Sequence, residues 1–270
     1  MKRKFDFVLK SHNGSIIFED ENIIVIDKPA LLLVLPDRYN QSLPNLNRLL
    51  KEELGEVFVV HRIDKETSGV IVFAKNAETH TALNRQFENR EVEKTYYALV
   101  VGTPDEDSGT IDAPITESQR HPGVMKIDNK RGKSSKTNYR VVEGFDGYAL
   151  VEAKPLTGRM HQVRIHLASV GLPVVCDRLY GDGERFFLSQ VKPRYFSEGD
   201  EKPLLSRVAL HAESISFVYP PDKERVSFSA EMPKDMRSVL NYLRKFRSLK
   251  TPVVSGGRVS GVRGVTAEPA

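Results

Sequence analysis

Two polar segments carry side chains able to do chemistry. The first, His61-Arg-Ile-Asp-Lys-Glu-Thr-Ser-Gly69, packs a histidine, an arginine, two carboxylates (Asp64, Glu66) and two hydroxyls between apolar runs at 57–60 and 70–74. A polar loop at the end of buried strands is where a rigid scaffold presents reactive groups. Composition alone leaves a solvated charged turn equally open. The second segment is Pro155-Leu-Thr-Gly-Arg-Met-His-Gln-Val-Arg-Ile-His166. With Thr157 as N-cap, Arg159, His161, Gln162 and Arg164 fall in or just before the first turns of a helix. Free N–H groups and the dipole attract anions there, and arginine adds a planar donor matched to phosphate or carboxylate. The exposed face of an amphipathic helix would give the same pattern.

Other chemistries fit poorly. His161 and His166 are five residues apart, about 500° around a helix, unlike the i, i+4 pair of a zinc site. One cysteine cannot build a cysteine-rich metal centre, and Cys176 reads as packing. His61-Arg-Ile-Asp has one residue too many for a kinase catalytic loop, and no glycine-rich phosphate loop accompanies it. Gly181-Asp-Gly183 lacks the third glycine of a dinucleotide fingerprint. Asp64 and Glu66 share one short loop, whereas a glycoside hydrolase needs two carboxylates facing each other at about 5–9 Å.

The elements that must position these segments follow from pattern. Strands are predicted at 16–18, 23–26, 57–60, 70–74, 96–101, 139–142 and 149–153, the last two paired across Gly144-Phe-Asp-Gly147. Helices are predicted at 42–54, with Ser42 as cap and Pro44 in the first turn, and at 77–89, 160–170 and 236–246. In the third, Met160, Val163, Leu167 and Val170 make one apolar stripe, and Gly171 stops it. Irregular alternation of strands and helices favours an α+β architecture.

The chain has 270 residues, 40% hydrophobic and 28% charged, which excludes collagen-like and wholly disordered classes. That length suits one or two domains. No apolar run approaches the ~18 residues of a membrane helix, and no apolar segment follows the basic start as in a signal peptide. The lone cysteine fits a reducing compartment. A cytoplasmic protein is expected. The net charge is +4, but residues 120–140 hold seven basic side chains against one acid, leaving 33 basic and 35 acidic residues elsewhere. This stretch reads as a loop or loose hairpin whose lysines suit a phosphate backbone.

Taken together, the motifs resemble those of the RluA-type RNA pseudouridine synthases. His61-Arg-Ile-Asp-Lys-Glu-Thr-Ser-Gly-Val-Ile-Val-Phe-Ala-Lys75 is similar to the family's first signature. Lys94-Thr-Tyr-Tyr-Ala-Leu-Val-Val-Gly102 is similar to its tyrosine motif. Thr157-Gly-Arg-Met-His-Gln-Val-Arg-Ile-His-Leu-Ala168 is similar to its third, followed by Gly171-Leu-Pro173, Asp177, Tyr180-Gly181 and Leu210-His-Ala212 in order. The resemblance implies a pseudouridine synthase-like α+β fold: a mixed, mostly antiparallel sheet with flanking helices and a central cleft. It implies one catalytic domain over 16–247, between an N-terminal extension (1–15) and a disordered tail (248–270).

Carried over by position, the resemblance makes Asp64 the catalytic aspartate, acting as nucleophile or base. Tyr96 becomes the aromatic residue against the target base, and Arg164 the arginine that pairs with the aspartate. Arg62 would take the space or the partners of a flipped nucleotide. His61, Thr67, Arg159, His161 and Gln162 would complete the substrate site. The implied reaction breaks the N-glycosidic bond of a uridine within RNA, turns the base and rejoins it through C5. Neither metal nor organic cofactor is implied; the expected partner is a ribosomal or transfer RNA stem-loop, bound by a monomer. A non-catalytic RNA-binding protein on the same scaffold is the alternative. No S4-type RNA-binding domain is expected before Ile16, so Lys130, Arg131 and Lys133 become candidate RNA contacts. The chain departs from the family at Leu31 and Cys176, which stand where glycine is common, and at Leu35, which replaces a histidine. A side chain at a glycine position implies a different local backbone around 30–40.

Overall fold

The computed structural model describes residues 9–10, 14–38, 40–181, 183–195 and 199–249. The first half of the chain builds β1 (Ser15–Glu19), β2 (Ile23–Lys28), α1 (Leu46–Leu54), β3 (Phe58–Val59), β4 (Ser68–Ala74), α2 (Ala77–Glu88) and β5 (Glu93–Val101). Next come β6 (Ser108–Asp112), β7 (Ile115–Glu117), β8 (Met125–Ile127), β9 (Lys136–Phe145), β10 (Tyr148–Pro155) and α3 (Gln162–Ser169). The chain closes with β11 (Leu210–Val218), β12 (Arg225–Ser229) and α4 (Lys234–Phe246). Ten strands form one sheet in the order β1-β2-β4-β11-β5-β10-β9-β6, with β3 on β4 and β12 on β11, while β7 and β8 form a separate hairpin. This is the expected mixed, mostly antiparallel α+β architecture. Within the large sheet the parallel pairing is β4 with β11.

Strand β4 is buried at all seven positions because helices cover both its faces. Ile71 and Phe73 join Leu46 and Leu50 of α1, while Val70 and Val72 join Leu83 of α2. Two-sided burial demands an uninterrupted apolar run, which is why the strand was legible without alternation. A third cluster ties β5 and β10 to Val163 and Leu167 of α3 and to the apolar stripe of α4.

The β4–β11 contact is short: His211 stands opposite Ser68, and Ala212 opposite Gly69. Gly69 has φ +112, and a Cβ added there would lie 2.1 Å from the Ala212 carbonyl oxygen. Only glycine lets these strands meet. Ala212 pairs on its other side with Tyr96 of β5, so the seam sets the loop before β4 beside that tyrosine.

Several local expectations are corrected. Asn45, not Ser42, caps α1: its Oδ1 accepts the Arg48 N–H at 3.0 Å, and Pro44 lies outside the helix. The 57–60 run pairs as a strand only over Phe58–Val59, and Val60 lines the cleft. The basic stretch, expected as a loop or loose hairpin, begins in the β7–β8 hairpin but continues through a turn into the first half of β9, where Lys136 and Arg140 are strand residues. Leu31 (φ 69) and Cys176 (φ 61) keep the left-handed backbone that glycine favours. The substitution of glycine therefore adds strain there instead of rerouting the chain. The extension over 1–15 and the tail over 248–270 fall largely outside the described residues.

Gly69→Ala is expected to cost at least about 3 kcal/mol, a melting-temperature drop of ~10 °C or loss of folding. Gly147→Ala, at φ +79 with nothing within 4 Å of its added Cβ, should cost only about 1 kcal/mol. Similar melting curves for the two variants would contradict the seam's steric role.

Candidate active site

A cleft of about 430 Å³ opens between the loop before β4, the junction of α2 with β5, and the loop leading into α3. Asp64, Tyr96 and Arg164 line it together, as do His61, Arg62, Thr67, Arg159, His161 and Gln162, whereas Lys130, Arg131 and Lys133 lie outside it.

The loop before β4 alternates between anchors and cleft-facing groups. His61 turns in, its Nε2 accepting the Val72 N–H at 3.1 Å and its ring stacking on Phe87 at 5.0 Å. Burial, then the nearby Lys94 charge, pulls its pKa down to about 3, so the imidazole stays neutral. Arg62 is exposed, Ile63 is buried in the core, and Asp64 faces the cleft. The Thr67 N–H closes the turn on the Asp64 carbonyl at 3.1 Å. Two buried cations fasten the loop from behind. Lys28 donates to Pro29 O and Leu32 O at 2.9 Å and to Lys65 O at 3.2 Å. Arg207, paired with Asp235 at 2.7 Å, reaches Glu66 O at 3.4 Å. Burial pulls the Lys28 pKa down to about 7, with the Asp64 charge opposing.

Arg164 is the electrostatic centre. Its side chain is 4% exposed, and its Nε and Nη2 donate to the two oxygens of Asp177 at 2.7 Å each. Nη1 is left facing Asp64, with Oδ2 at 3.6 Å. The expected Arg164–Asp64 pairing is therefore the weaker of two, and Asp177, which is 0% exposed, is the principal partner. Burial works against the Arg164 charge, but the hydrogen bonds and charge of Asp177, then Asp64, raise its pKa above the usual value. Asp177 Oδ1 also accepts the N–H groups of Leu179 and Tyr180, which swings the Tyr180 ring under the guanidinium at 5.2 Å. Tyr96 keeps its proton, because burial and then the Asp64 charge push its pKa up.

The loop into α3 is organised differently from the sequence expectation. Thr157 does not cap the helix: its hydroxyl donates to Gln162 Oε1 at 2.7 Å and accepts the Lys136 N–H at 3.1 Å. The helix starts at Gln162 behind His161, which has φ 55. Gln162 is saturated internally. Its oxygen takes Thr157 and the Arg159 N–H, and its amide donates to Lys136 O and Thr137 Oγ1 at 3.0 Å each. It shapes the loop and has no bond left for a substrate. Residues 162–167 are all buried, so the expected single apolar stripe is absent. His161 meets the Tyr180 hydroxyl at 2.8 Å, while His166 turns away to Thr137 and Ala113 O.

Lys130 and Arg131 stand on the turn after β8, which Asp128 builds by accepting both their N–H groups, and Lys133 follows it. All three side chains are exposed. The hairpin is moored to the cleft wall, since Met125 N–H donates to the Tyr180 hydroxyl at 2.8 Å. Sequence reasoning missed Tyr180, Lys94, Lys28 and Arg207 as site residues, and quoted Asp177 without a role. One signal was present: an arginine inside a buried helix needs a buried countercharge. Another was the period-2 spacing of Lys94 and Tyr96 on one strand face.

A mixed sheet cut by one short parallel contact, with a carboxylate and a buried arginine facing each other in its cleft, is the architecture to be compared with known proteins. The family model described as RNA pseudouridylate synthase matches residues 22–169. The chain is 34% identical over 238 residues to "Ribosomal large subunit pseudouridine synthase D" of Zymomonas mobilis, covering 84% of this chain and 72% of that protein. It is 35% identical over 210 residues to "Dual-specificity RNA pseudouridine synthase RluA" of Vibrio vulnificus, covering 76% and 78%. Its structure is similar to that of Human RNA Pseudouridylate Synthase Domain Containing 4, with TM-score 0.66, 27% identity and coverage of 89% and 97%. The chain belongs to the RNA pseudouridylate synthase family, as an RluA-type RNA pseudouridine synthase, and is an isomerase. No helix among the described residues is long and apolar enough to cross a membrane.

Asp177→Asn should destabilise the protein by about 3–5 kcal/mol in urea unfolding, because a buried guanidinium loses its countercharge. Asp64→Asn, at a side chain 25% exposed, should cost under about 1 kcal/mol. Lys28 gives a pH prediction. Its folded-state pKa of about 7 lies below the ordinary 10.5, so the unfolded chain holds the extra proton between those values. Stability present above pH ~10.5 is lost as the pH falls towards about 7. Lys94, lowered by burial to about 8, adds to the upper part of that window. Lys28→Met is expected to flatten the stability–pH curve between pH ~7 and ~10; an unchanged slope would contradict this.

Proposed function

We propose that Asp64 is the catalytic aspartate of this synthase and that its substrate is ribosomal RNA, with a transfer RNA stem-loop as a second class. The observation that carries the reading is the single cleft in which Asp64, Arg164 and Tyr96 converge, with Arg164 Nη1 3.6 Å from Asp64 Oδ2. A volume of about 430 Å³ lies in the range of small-molecule sites, enough for one nucleoside and too little for a duplex. The uridine must leave its stack and enter alone.

Once inside, the N1–C1′ bond breaks and C5 joins C1′; H5 leaves as a proton, and N1 takes one up. Asp64 serves as nucleophile or base at the sugar–uracil junction, held in place by the arginine at its side. Tyr96 lies against the base as a protonated, apolar wall. Arg62, exposed and without an ion-pair partner among the described residues, takes the partners of the nucleotide that moves. Arg159 and His161 line the opposite wall, while His61 and Thr67 hold the Asp64 loop in shape. Lys130, Arg131 and Lys133, on and just after the turn that follows the moored hairpin, hold the RNA backbone outside the cleft. The relatives with ribosomal and dual-specificity names support these substrate classes. A cytoplasmic location agrees with such substrates.

Asp64→Asn is expected to lower tritium release from 5-³H-uridine RNA by at least about 10³-fold, with RNA affinity nearly intact. Substantial residual release would sink the assignment. Replacing Lys130, Arg131 and Lys133 together by Ala should reduce the slope of log K against log [salt] by about 2–3. A slope equal to that of the parent would remove the hairpin from the RNA interface.

A further inference from the structure

The segment from the end of α2 into β5 sends Arg90, Val92, Lys94 and Tyr96 to the cleft, and Lys94 and Tyr96, two apart on β5, share one face of that strand. Tyr96 marks the inner end, paired with Ala212 at the seam. Lys94 lies about 7 Å further out along the strand, its Nζ 3.5 Å from the Thr157 carbonyl. Arg90 stands beyond it, exposed, its guanidinium without a hydrogen-bond or ion-pair partner among the described residues. Glu88 lines the same stretch but makes no bond to it.

The backbone of Arg90 strengthens the case. Its φ is 62, and it ends α2, with Arg90 N–H on Phe87 O at 3.3 Å and Glu91 N–H on Gln86 O at 2.9 Å. This is the left-handed closing position that usually holds glycine, and an L-residue is strained there. A large cation is thus held, at a cost, where it reaches into the cleft unpaired. Strain of this kind clusters at functional positions.

We propose that Arg90, with Lys94 behind it, forms a phosphate-binding subsite for the phosphodiester next to the nucleotide drawn into the cleft. The proposal rests on the reading of the cleft as the uridine site. The ligand is the backbone of a single-stranded RNA segment, gripped without regard to base identity. The subsite lies inside the cleft, apart from the cations at 130–133 that follow the hairpin. It fixes the strand leading to the flipped base, while the hairpin holds RNA further away. A helix C-terminus also attracts cations by its dipole, and the test must separate that role from RNA binding.

The experiment compares the wild type with Arg90→Gln, Arg90→Lys and Arg90→Gly on in vitro transcribed large-subunit ribosomal RNA labelled with 5-³H-uridine. Arg90→Gln and Arg90→Gly are expected to raise KM by roughly 5–10-fold with kcat changed less than about twofold, and to lower the salt slope by about one. Arg90→Lys should recover most of the affinity. Arg90→Gly should melt no lower than wild type, since strain is relieved. An unchanged KM and slope in Arg90→Gln, a loss confined to kcat, or a lower melting temperature in Arg90→Gly would each overturn the subsite. Fluorescence anisotropy with the same RNA on an Asp64→Asn background keeps the two readings apart. No tritium release by the wild type, with a reduced binding slope in Arg90→Gln, overturns the uridine site and upholds the phosphate contact.

Discussion

One buried guanidinium has to be neutralised, and most of the cleft follows from how that is done. Arg164 cannot remain charged inside the sheet–helix interface alone, since an unpaired buried ion costs several kcal/mol. Asp177 meets it with two bonds of 2.7 Å on one edge. The same carboxylate then accepts two backbone N–H groups of the following turn, and this fixes Tyr180. Tyr180 in turn holds His161 and the β7–β8 hairpin. A pair of this type contributes little net stability compared with apolar packing. Its consequence is positional: with one edge of the guanidinium fixed, the other nitrogen is aimed at Asp64, the more exposed carboxylate.

Asp64 is placed by a different device. Two carbonyls of its loop are partly buried and are bonded from within the protein. Lys28 and Arg207 do this with ammonium and guanidinium donors on Lys65 O and Glu66 O. Leu31 N–H adds a second bond to Lys65 O at 2.7 Å, which ties the strained left-handed Leu31 to the residue next to Asp64. Gly69 then lets β4 touch β11, so that this loop and Tyr96 share one floor. The apolar β4 fixes the height of the loop, the glycine its lateral position, and the two cations its path.

What could be read from residues alone follows the range of the forces involved. β4 and the stripe of α4 are legible because burial acts on contiguous or periodic residues. Asp64, Tyr96 and Arg164 are legible because the motifs around them are long. Thr157 illustrates the failure. By type it is a good helix cap, but its hydroxyl is claimed by Gln162 and by the Lys136 N–H, 21 residues away. Gln162 looks like a polar residue for a substrate until its four partners are seen. Asp177 lies 13 residues from Arg164 through a turn without periodicity, so only the demand for a countercharge points to it. The basic stretch was visible as charge, but its division into β8, a turn and β9 depends on pairing with β7, β6 and β10.

Charge shows the same limit from the other side. Counted along the chain, the positive excess belongs wholly to 120–140, and the remainder is slightly acidic. In three dimensions several of those cations are already engaged: Lys126 with Asp128, Lys136 with Asp112, Arg140 with Glu152. Lys130, Arg131 and Lys133 carry no ion pair among the described residues, and neither do Arg62, Arg90 and Arg159 at the cleft. A polyanion responds to cations whose charge is not matched nearby, because matched pairs cancel within a Debye length of about 8–10 Å. Unmatched positive charge therefore sits in two places, the turn after β8 and the cleft, and only the first appears in a sum over sequence. Cations in a recess with low-dielectric walls focus field lines more strongly than the same charges on a convex turn. The cleft cations, though drawn from the acidic part of the chain, therefore weigh more in the local field than a sum over sequence suggests.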